Sequence, residues 1–560
     1  MTRRQAVLLF AAVWLGYLLI GVYLAVIVEF HFGDALSRVQ SAQSVLFSRT
    51  PHLSAIGFVF SPLTTIVQLP LTALSVWWPA LTTSGLSAVI MSSGFMAGSV
   101  VQISGISRDR GLGRGVTTLI TLCYTINPMI VLYAANGMSE APYLFFLAWA
   151  IRRLIRWVDT DDVHELIVAG IALALAYLTR YDGGAATLAA AAVVGTVTFR
   201  RSERERRWSR TALDMVLVAA PGALAFVVWA IAGWLITGDA FAQFTSEYGN
   251  AAIVAATGAA TASGAAAMVF SFTELLILAP LLPVLLVTVI VIRTMRRRLL
   301  PLLPPLLLIG AVLAFQIIGY ARGSTFGFLR FSLTVVVLSA TIALLAVPAR
   351  RSPPVRRPGP RAALPPVRPH PSTRRRYAVS AVIAVVVLAV GLPVTAVGMT
   401  SKRFAPQEYA IRSIVDPQPD SVDPRRLDEQ RVIRSFSTER AIAQFLDRLD
   451  LPDGSVLCDT VFGFAVVVQS TRPRQFVIPS DADFTRVINE PAAHGVQYLL
   501  TVPPSGRGET DALNRRYPTV YNDGARIGVL ALEAPNDGAD LPDWRIYRTL
   551  PATTSATGSP

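Results

Sequence analysis

Long apolar runs separated by clusters of arginine constrain this chain more than any other feature. A helix needs about 20 mostly apolar residues to cross the hydrocarbon of a bilayer. Eleven segments meet that need, at roughly 6–28, 83–104, 115–135, 138–155, 163–179, 183–199, 212–236, 269–292, 299–319, 331–348 and 377–398, with a tight turn at Asn136-Gly137 between the third and fourth. Alternate connections carry the arginines: Arg3/Arg4, Arg108/Arg110/Arg114, Arg152/Arg153/Arg156, the run RRSERERRWSR from Arg200, RTMRRR from Arg293, and nine between Arg350 and Arg376. The intervening connections hold only Arg38, Arg49, Arg180, Arg322 and Arg330. Cytoplasmic loops keep the excess of basic residues. The N-terminus is therefore expected in the cytoplasm and, after eleven crossings, the region beyond residue 400 on the outer side.

The totals agree with a membrane chain: 53% hydrophobic residues, 15% charged and a mean hydropathy of +0.50. A net charge of +14 is compatible with nucleic-acid binding, but the basic residues sit in short runs between apolar segments, as topology signals do. No nucleic-acid partner is expected. Arginine supplies almost all of the positive charge, Lys402 being the single lysine, a bias that fits a high-GC genome. Cys123 and Cys458 fall in different parts of the chain and imply no disulfide, and no Cys/His cluster has metal-ligand spacing. The opening MTRRQ and its apolar run resemble a signal peptide. The run is too long for one and is read as a retained first membrane helix.

Composition divides the chain. Residues 1–348 read as a membrane unit with a long first outer connection, 31–82. Residues 349–376 are a Pro- and Arg-rich cytoplasmic linker, 377–398 the last membrane helix, 401–550 a soluble outer domain and 551–560 a disordered tail. In the soluble part a helix is expected at 439–449 and strands at 455–458, 465–469, 475–478, 497–502, 526–532 and 544–547, which makes a small α/β or α+β domain. The first connection should hold a helix from near Asp34 with Leu36, Val39, Gln43 and Leu46 roughly on one face. A second apolar stretch, 56–78, is interrupted by Pro62 and Pro70 and should lie along the interface, anchored by Trp77 and Trp78.

Polar chemistry crowds one side of this topology. Glu29, Asp34, Arg38, Glu140, Arg180, Tyr181, Asp182, Glu247, Tyr248, Glu274, Tyr320, Arg322 and Arg330 all fall in outer connections or near outer helix ends, and the helix middles are almost uncharged. Charges in membrane helices mark functional paths, and this placement suits a site at the membrane–water boundary better than a path through the midplane. Guanidinium matches phosphate oxygens bidentately, and an acid can deprotonate an incoming hydroxyl. Each residue also has an ordinary use. Asp34 after Gly33 suits a helix cap, and Arg38 can pair with it. Arg180 and Arg330 can snorkel to headgroups, Glu140 suits a first turn, and Asp182 can pair with Arg180. His31 and His52 are too few ligands for a metal.

The acid-led first loop, GDALSRVQSAQSVLFSR, followed by interfacial helices, resembles the GT-C glycosyltransferases, nearest to the protein O-mannosyltransferase and bacterial aminoarabinose lipid A transferase branches. NPMIVLYAANGMSEAPYLFFLAWAIRR resembles their third and fourth helices and LTRYDG the loop after the fifth, so the likeness spans about residues 1 to 350. It implies a polytopic α-helical enzyme of the bacterial cytoplasmic membrane, acting on its outer face. A sugar would pass from a polyprenyl-phosphate donor to a hydroxyl of an envelope glycan, lipid or protein, by one displacement with inversion. Asp34 matches the family's first-loop acid and would be the general base. The O-mannosyltransferases carry an Asp-Glu pair where this chain reads Asp34-Ala35. By position, Arg180, Arg322 and Arg330 are candidates for the donor phosphate. Arg38, Glu140, Tyr181, Asp182, Glu247, Tyr248 and Tyr320 are candidates for substrate contacts. No cofactor or protein-built metal site is expected, and a loosely held divalent cation stays open. The competing readings are a transporter or flippase of a lipid-linked sugar, disfavoured by the missing internal repeat and uncharged helix middles, and an inactive scaffold.

Overall fold

The computed structural model describes residues 3–246, 249, 252–254, 264–295, 299–348 and 371–551. Glu247, Tyr248, the expected linker up to residue 370 and the tail from residue 552 lie outside the described residues. Each of the eleven expected segments is helical. Among the described residues seven helices are long and apolar enough to cross a membrane, or nine spans if each of two bent pairs is one. Glu140–Thr160 is long enough but carries Arg152, Arg153 and Arg156, and Val163–Thr179 stops at 17 residues.

Two expected straight spans are broken. The segment expected at 115–135 consists of Arg114–Thr125 and Pro128–Ala135, bent by 62°. Pro128 opens the second half, where Asn127 accepts from the backbone N–H of Met129 at 3.1 Å. The segment expected at 269–292 consists of Ala265–Leu278 and Leu282–Met295, bent by 83° around Pro280. Proline lacks an N–H and drives the residue before it out of the α region; Ala279 has φ −149° and ψ 70°. The last membrane helix runs Pro371–Gly398, starting inside the expected linker.

Small residues let the bundle close. A Cβ on Gly170 would lie 2.8 Å from the Val218 carbonyl oxygen, and one on Gly222 would lie 2.8 Å from the Thr187 methyl. Both contacts tie Val163–Thr179 and Gly183–Arg201 to the long helix Arg207–Thr237, as close packing in an apolar solvent requires.

The first connection contains the helix Gly33–Phe47, with Leu36, Val39 and Gln43 buried. A second helix, Leu63–Ala73, follows Pro62 and accommodates Pro70 internally. Trp77 and Trp78 are 79% and 53% exposed.

The C-terminal region carries a five-stranded sheet of order β2-β1-β3-β5-β4. Its strands are β1 (Val456–Leu457), β2 (Phe476–Val477), β3 (Tyr498–Thr501), β4 (Gly528–Ala534) and β5 (Trp544–Thr549). β1 is parallel to both β2 and β3, while β5 runs antiparallel to β3 and β4. The expected helix is present as Ser437–Arg448. The strand expected at 465–469 is instead part of the helix Thr460–Gln469. A short β-branched run does not distinguish strand from buried helix. Asp459 settles it by accepting from the Val461 N–H at 2.8 Å, and the parallel β1–β2 pair needs a crossover.

That helix seats the sheet on the membrane unit. Ala465 and Val468 pack with Leu36, Val39, Ala88 and Phe436; burying Leu36 and Val39 contributes about 2 kcal/mol each. Polar clamps flank the contact. Arg49 donates to Asp483 at 3.1 Å, Thr50 to Asp481 at 2.9 Å, and Arg440 pairs with Glu29.

Candidate active site

Asp34 stands in the first turn of Gly33–Phe47, after an extended Phe32. An acid is favoured there by the helix dipole, but its side chain caps nothing. Its carboxylate accepts from Arg330 Nη2 at 3.2 Å, across 296 positions of sequence. Arg38 does not take the carboxylate: its Nη1 donates to the Asp34 backbone carbonyl at 2.8 Å, and its guanidinium lies 4.4 Å over the Phe60 ring. Asp34 keeps 38% of its side-chain surface accessible, whereas Arg330 keeps 7%. Burial alone would raise the Asp34 pKa. Arg330 and Arg38 outweigh it and hold the carboxyl below the usual carboxylate range, so it is ionised at neutral pH.

Arg330 lies in the short turn Leu329–Ser332, pinned where the Leu329 N–H donates to the Phe404 carbonyl at 2.8 Å. The Phe331 ring lies between two cations, 5.0 Å from the Arg330 guanidinium and 5.3 Å from that of Arg180. Arg180 leaves Val163–Thr179 in an extended conformation, donates to Glu140 at 3.0 Å and lies 3.4 Å from Asp182. Gln316 in turn donates to Asp182 at 2.6 Å. Glu140 and Asp182 are buried and hold Arg180 in place from behind.

Asp34, Arg38, Arg180, Tyr181 and Arg330 line one cavity of about 370 Å³ between the Asp34 helix and the C-terminal region. Four expected residues do not line it: Glu140 and Asp182 stand behind Arg180, and Arg322 and Tyr320 lie elsewhere. Arg322 is exposed beyond Leu303–Ala321, where Gly323 turns the chain at φ +70° and carries it away. Tyr320 is buried against Phe270, with ring centres 5.3 Å apart. Glu247 and Tyr248 fall outside the described residues.

Sequence reasoning missed what the C-terminal region adds. Arg507, in the turn Gly506–Thr510, lines the same cavity, 5.1 Å over the Phe462 ring. Burial lowers its pKa and the charge of Asp34 opposes that, so the two share one field. Nothing local to SGRG signals this role. The interleaving of Phe326, Phe328 and Phe331 with Arg330 was a visible signal of a caged cation. Behind Arg330, Tyr133 donates to the buried Glu408. Arg330 Nε and Nη1 and Arg38 Nε are buried donors without a hydrogen-bond partner. Among the described residues no group of three His, Cys, Asp or Glu side chains is placed to hold a metal ion.

The chain superposes over 100% of its length on 100% of ArnT from Cupriavidus metallidurans bound to undecaprenyl phosphate, with a TM-score of 0.55 and 14% identity. The apo state of that protein gives 0.55 and 15% identity over 98% and 99% of the two chains. The fold is that of the GT-C glycosyltransferases. The S. cerevisiae protein O-mannosyltransferase complex Pmt1–Pmt2 gives a TM-score of 0.31, with 17% identity over 41% of this chain and 34% of that one. No family model and no curated protein matches the sequence.

Proposed function

We propose that this GT-C chain is a membrane glycosyltransferase that moves a sugar from a polyprenyl phosphate to a hydroxyl acceptor. The observation that carries the reading is a cavity in which one ionised carboxylate, Asp34, faces arginines whose buried N–H donors lack partners. Such donors match phosphate oxygens. The likeness in fold to a protein that binds undecaprenyl phosphate supports the same class of donor.

In this reading the acceptor oxygen attacks the anomeric carbon as Asp34 takes its proton, and the bond from that carbon to the phosphate oxygen breaks. Polyprenyl phosphate leaves with one more negative charge, which Arg330, Arg38 and Arg180 stabilise, with Arg507 closing the cavity from the C-terminal side. A single displacement inverts the anomeric centre. The arginine-rich alternate loops favour a reaction on the outer face of the membrane, with the N-terminus in the cytoplasm and the sheet outside.

The two broken helices favour a second reading, passage of a lipid-linked sugar across the membrane, since discontinuous helices recur in transporters. Purified protein in sealed proteoliposomes, given labelled polyprenyl-phosphate mannose, glucose or arabinose with an envelope extract, decides between them. Transfer of one label to acceptor supports the enzyme. Label that crosses a vesicle bilayer without transfer supports passage and sinks the enzyme reading.

A further inference from the structure

A second cavity, of about 410 Å³, lies between the Asp34 helix, the end of the first connection and the C-terminal region. None of its lining residues lines the reaction cavity. Its volume falls in the range of small-molecule sites, about 300–1,000 Å³. Gln43 and Phe47 form one wall, Ser75 and Thr83 another, and Arg472 to Gln475 the third.

Its chemistry is specific. Gln43 and Gln475 are 2% and 1% exposed, and the side-chain oxygen of each has no hydrogen-bond partner. The Gln475 amide cannot be turned to relieve this. Its nitrogen donates to Asp447 at 2.7 Å and to Ser470 at 3.0 Å, and the reverse setting would place an oxygen against a carboxylate. Arg472 is paired with Asp450 and Arg474 with Asp453, so the cations beside the cavity are already neutralised. A site with matched charges and two buried, unpartnered acceptors suits a neutral ligand that donates hydrogen bonds. Phe47 adds an aromatic side chain to the wall, the kind of surface on which the C–H groups of a pyranose or furanose pack. The cavity adjoins Trp77 and Trp78, exposed side chains of the type that anchor at headgroup level.

We propose that this cavity is a glycan subsite, holding neutral sugar units beside the membrane surface and apart from the reacting centre. That the bound glycan belongs to the acceptor rests on the transferase reading above. Binding itself does not.

The test uses the full chain in nanodiscs, with binding of maltose, mannobiose and arabinobiose followed by saturation-transfer NMR at millimolar concentration and inorganic phosphate as competitor. At least one disaccharide should bind, and phosphate should not displace it. Gln43→Leu should weaken binding about tenfold, the worth of a hydrogen bond to a buried acceptor. It should do so without lowering Tm, because it also removes an unsatisfied buried group. Ser75→Trp, which fills the cavity, should abolish binding, and Asp34→Asn should leave it unchanged. The proposal is overturned if no disaccharide binds, if both cavity variants bind like wild type, if phosphate displaces the sugar, or if Asp34→Asn weakens it. Disaccharide binding in a protein that transfers no sugar would remove the transferase reading and leave the subsite standing.

Discussion

At the residue scale the Asp34–Arg330 pair sets what the site can do. Arg330 keeps the carboxylate ionised against its burial, and the same guanidinium has two further nitrogens, Nε and Nη1, without partners. The acid limb of the kcat/KM profile should therefore lie below the ordinary carboxylate range in wild type. In Arg330→Gln it should move upward, because burial remains and the opposing charge is gone. An unchanged limb would show that Asp34 does not titrate in the reaction. Arg507→Ala should raise KM for the donor about tenfold, the cost of a lost charged hydrogen bond, with a smaller fall in kcat; a wild-type KM would place the donor elsewhere. Asp34 was legible in the sequence because an acid opening the first loop is a local pattern. Its partner was legible only as a position, since nothing in the sequence joins residues 34 and 330. Arg507 was not legible at all, because only the docking of the C-terminal region brings it to the cavity.

At the element scale, apolar length revealed where helices form but not where they break. Pro128 and Pro280 stood in the sequence, yet a proline inside an apolar run fixes neither the angle nor the side of a bend. The helix Thr460–Gln469 was misread as a strand because its pattern is continuous, and its cap, Asp459, was the overlooked sign. A second capping acid, Asp511, accepts from the Leu513 N–H at 2.9 Å. Burial and then the charge of Asp459 raise its pKa. An acid raised in the folded state contributes stability that is full below its unfolded pKa and lost as pH rises through the folded value. Asp511→Asn keeps the cap and removes the titration. Labelling of the buried Cys458 thiol should thus become faster in wild type than in Asp511→Asn as pH rises, compared at equal pH. A constant ratio would mean that Asp511 does not change its protonation over this range.

At the scale of the whole molecule, the helix Thr460–Gln469 packs on the Asp34 helix and, with Arg507, supplies part of the cavity wall, so the C-terminal region belongs to the site and not merely to the periphery. Topology then has a direct consequence. With Cys123 replaced, a membrane-impermeant maleimide applied to intact cells should label Val422→Cys, which is 89% exposed, and spare Ser209→Cys in the Arg-rich connection. The reverse pattern would put the cavity on the cytoplasmic side.

The central claim is that Asp34 is the base of a sugar transfer, and donor binding and single turnover measured side by side for wild type and Asp34→Asn in nanodiscs test it most directly. Wild type should transfer the sugar, and Asp34→Asn should bind the same polyprenyl-phosphate sugar with similar affinity while turning it over about a thousandfold more slowly, within the span that general base catalysis supplies. Equal turnover by the two proteins would contradict the account and leave Asp34 a structural partner of Arg330.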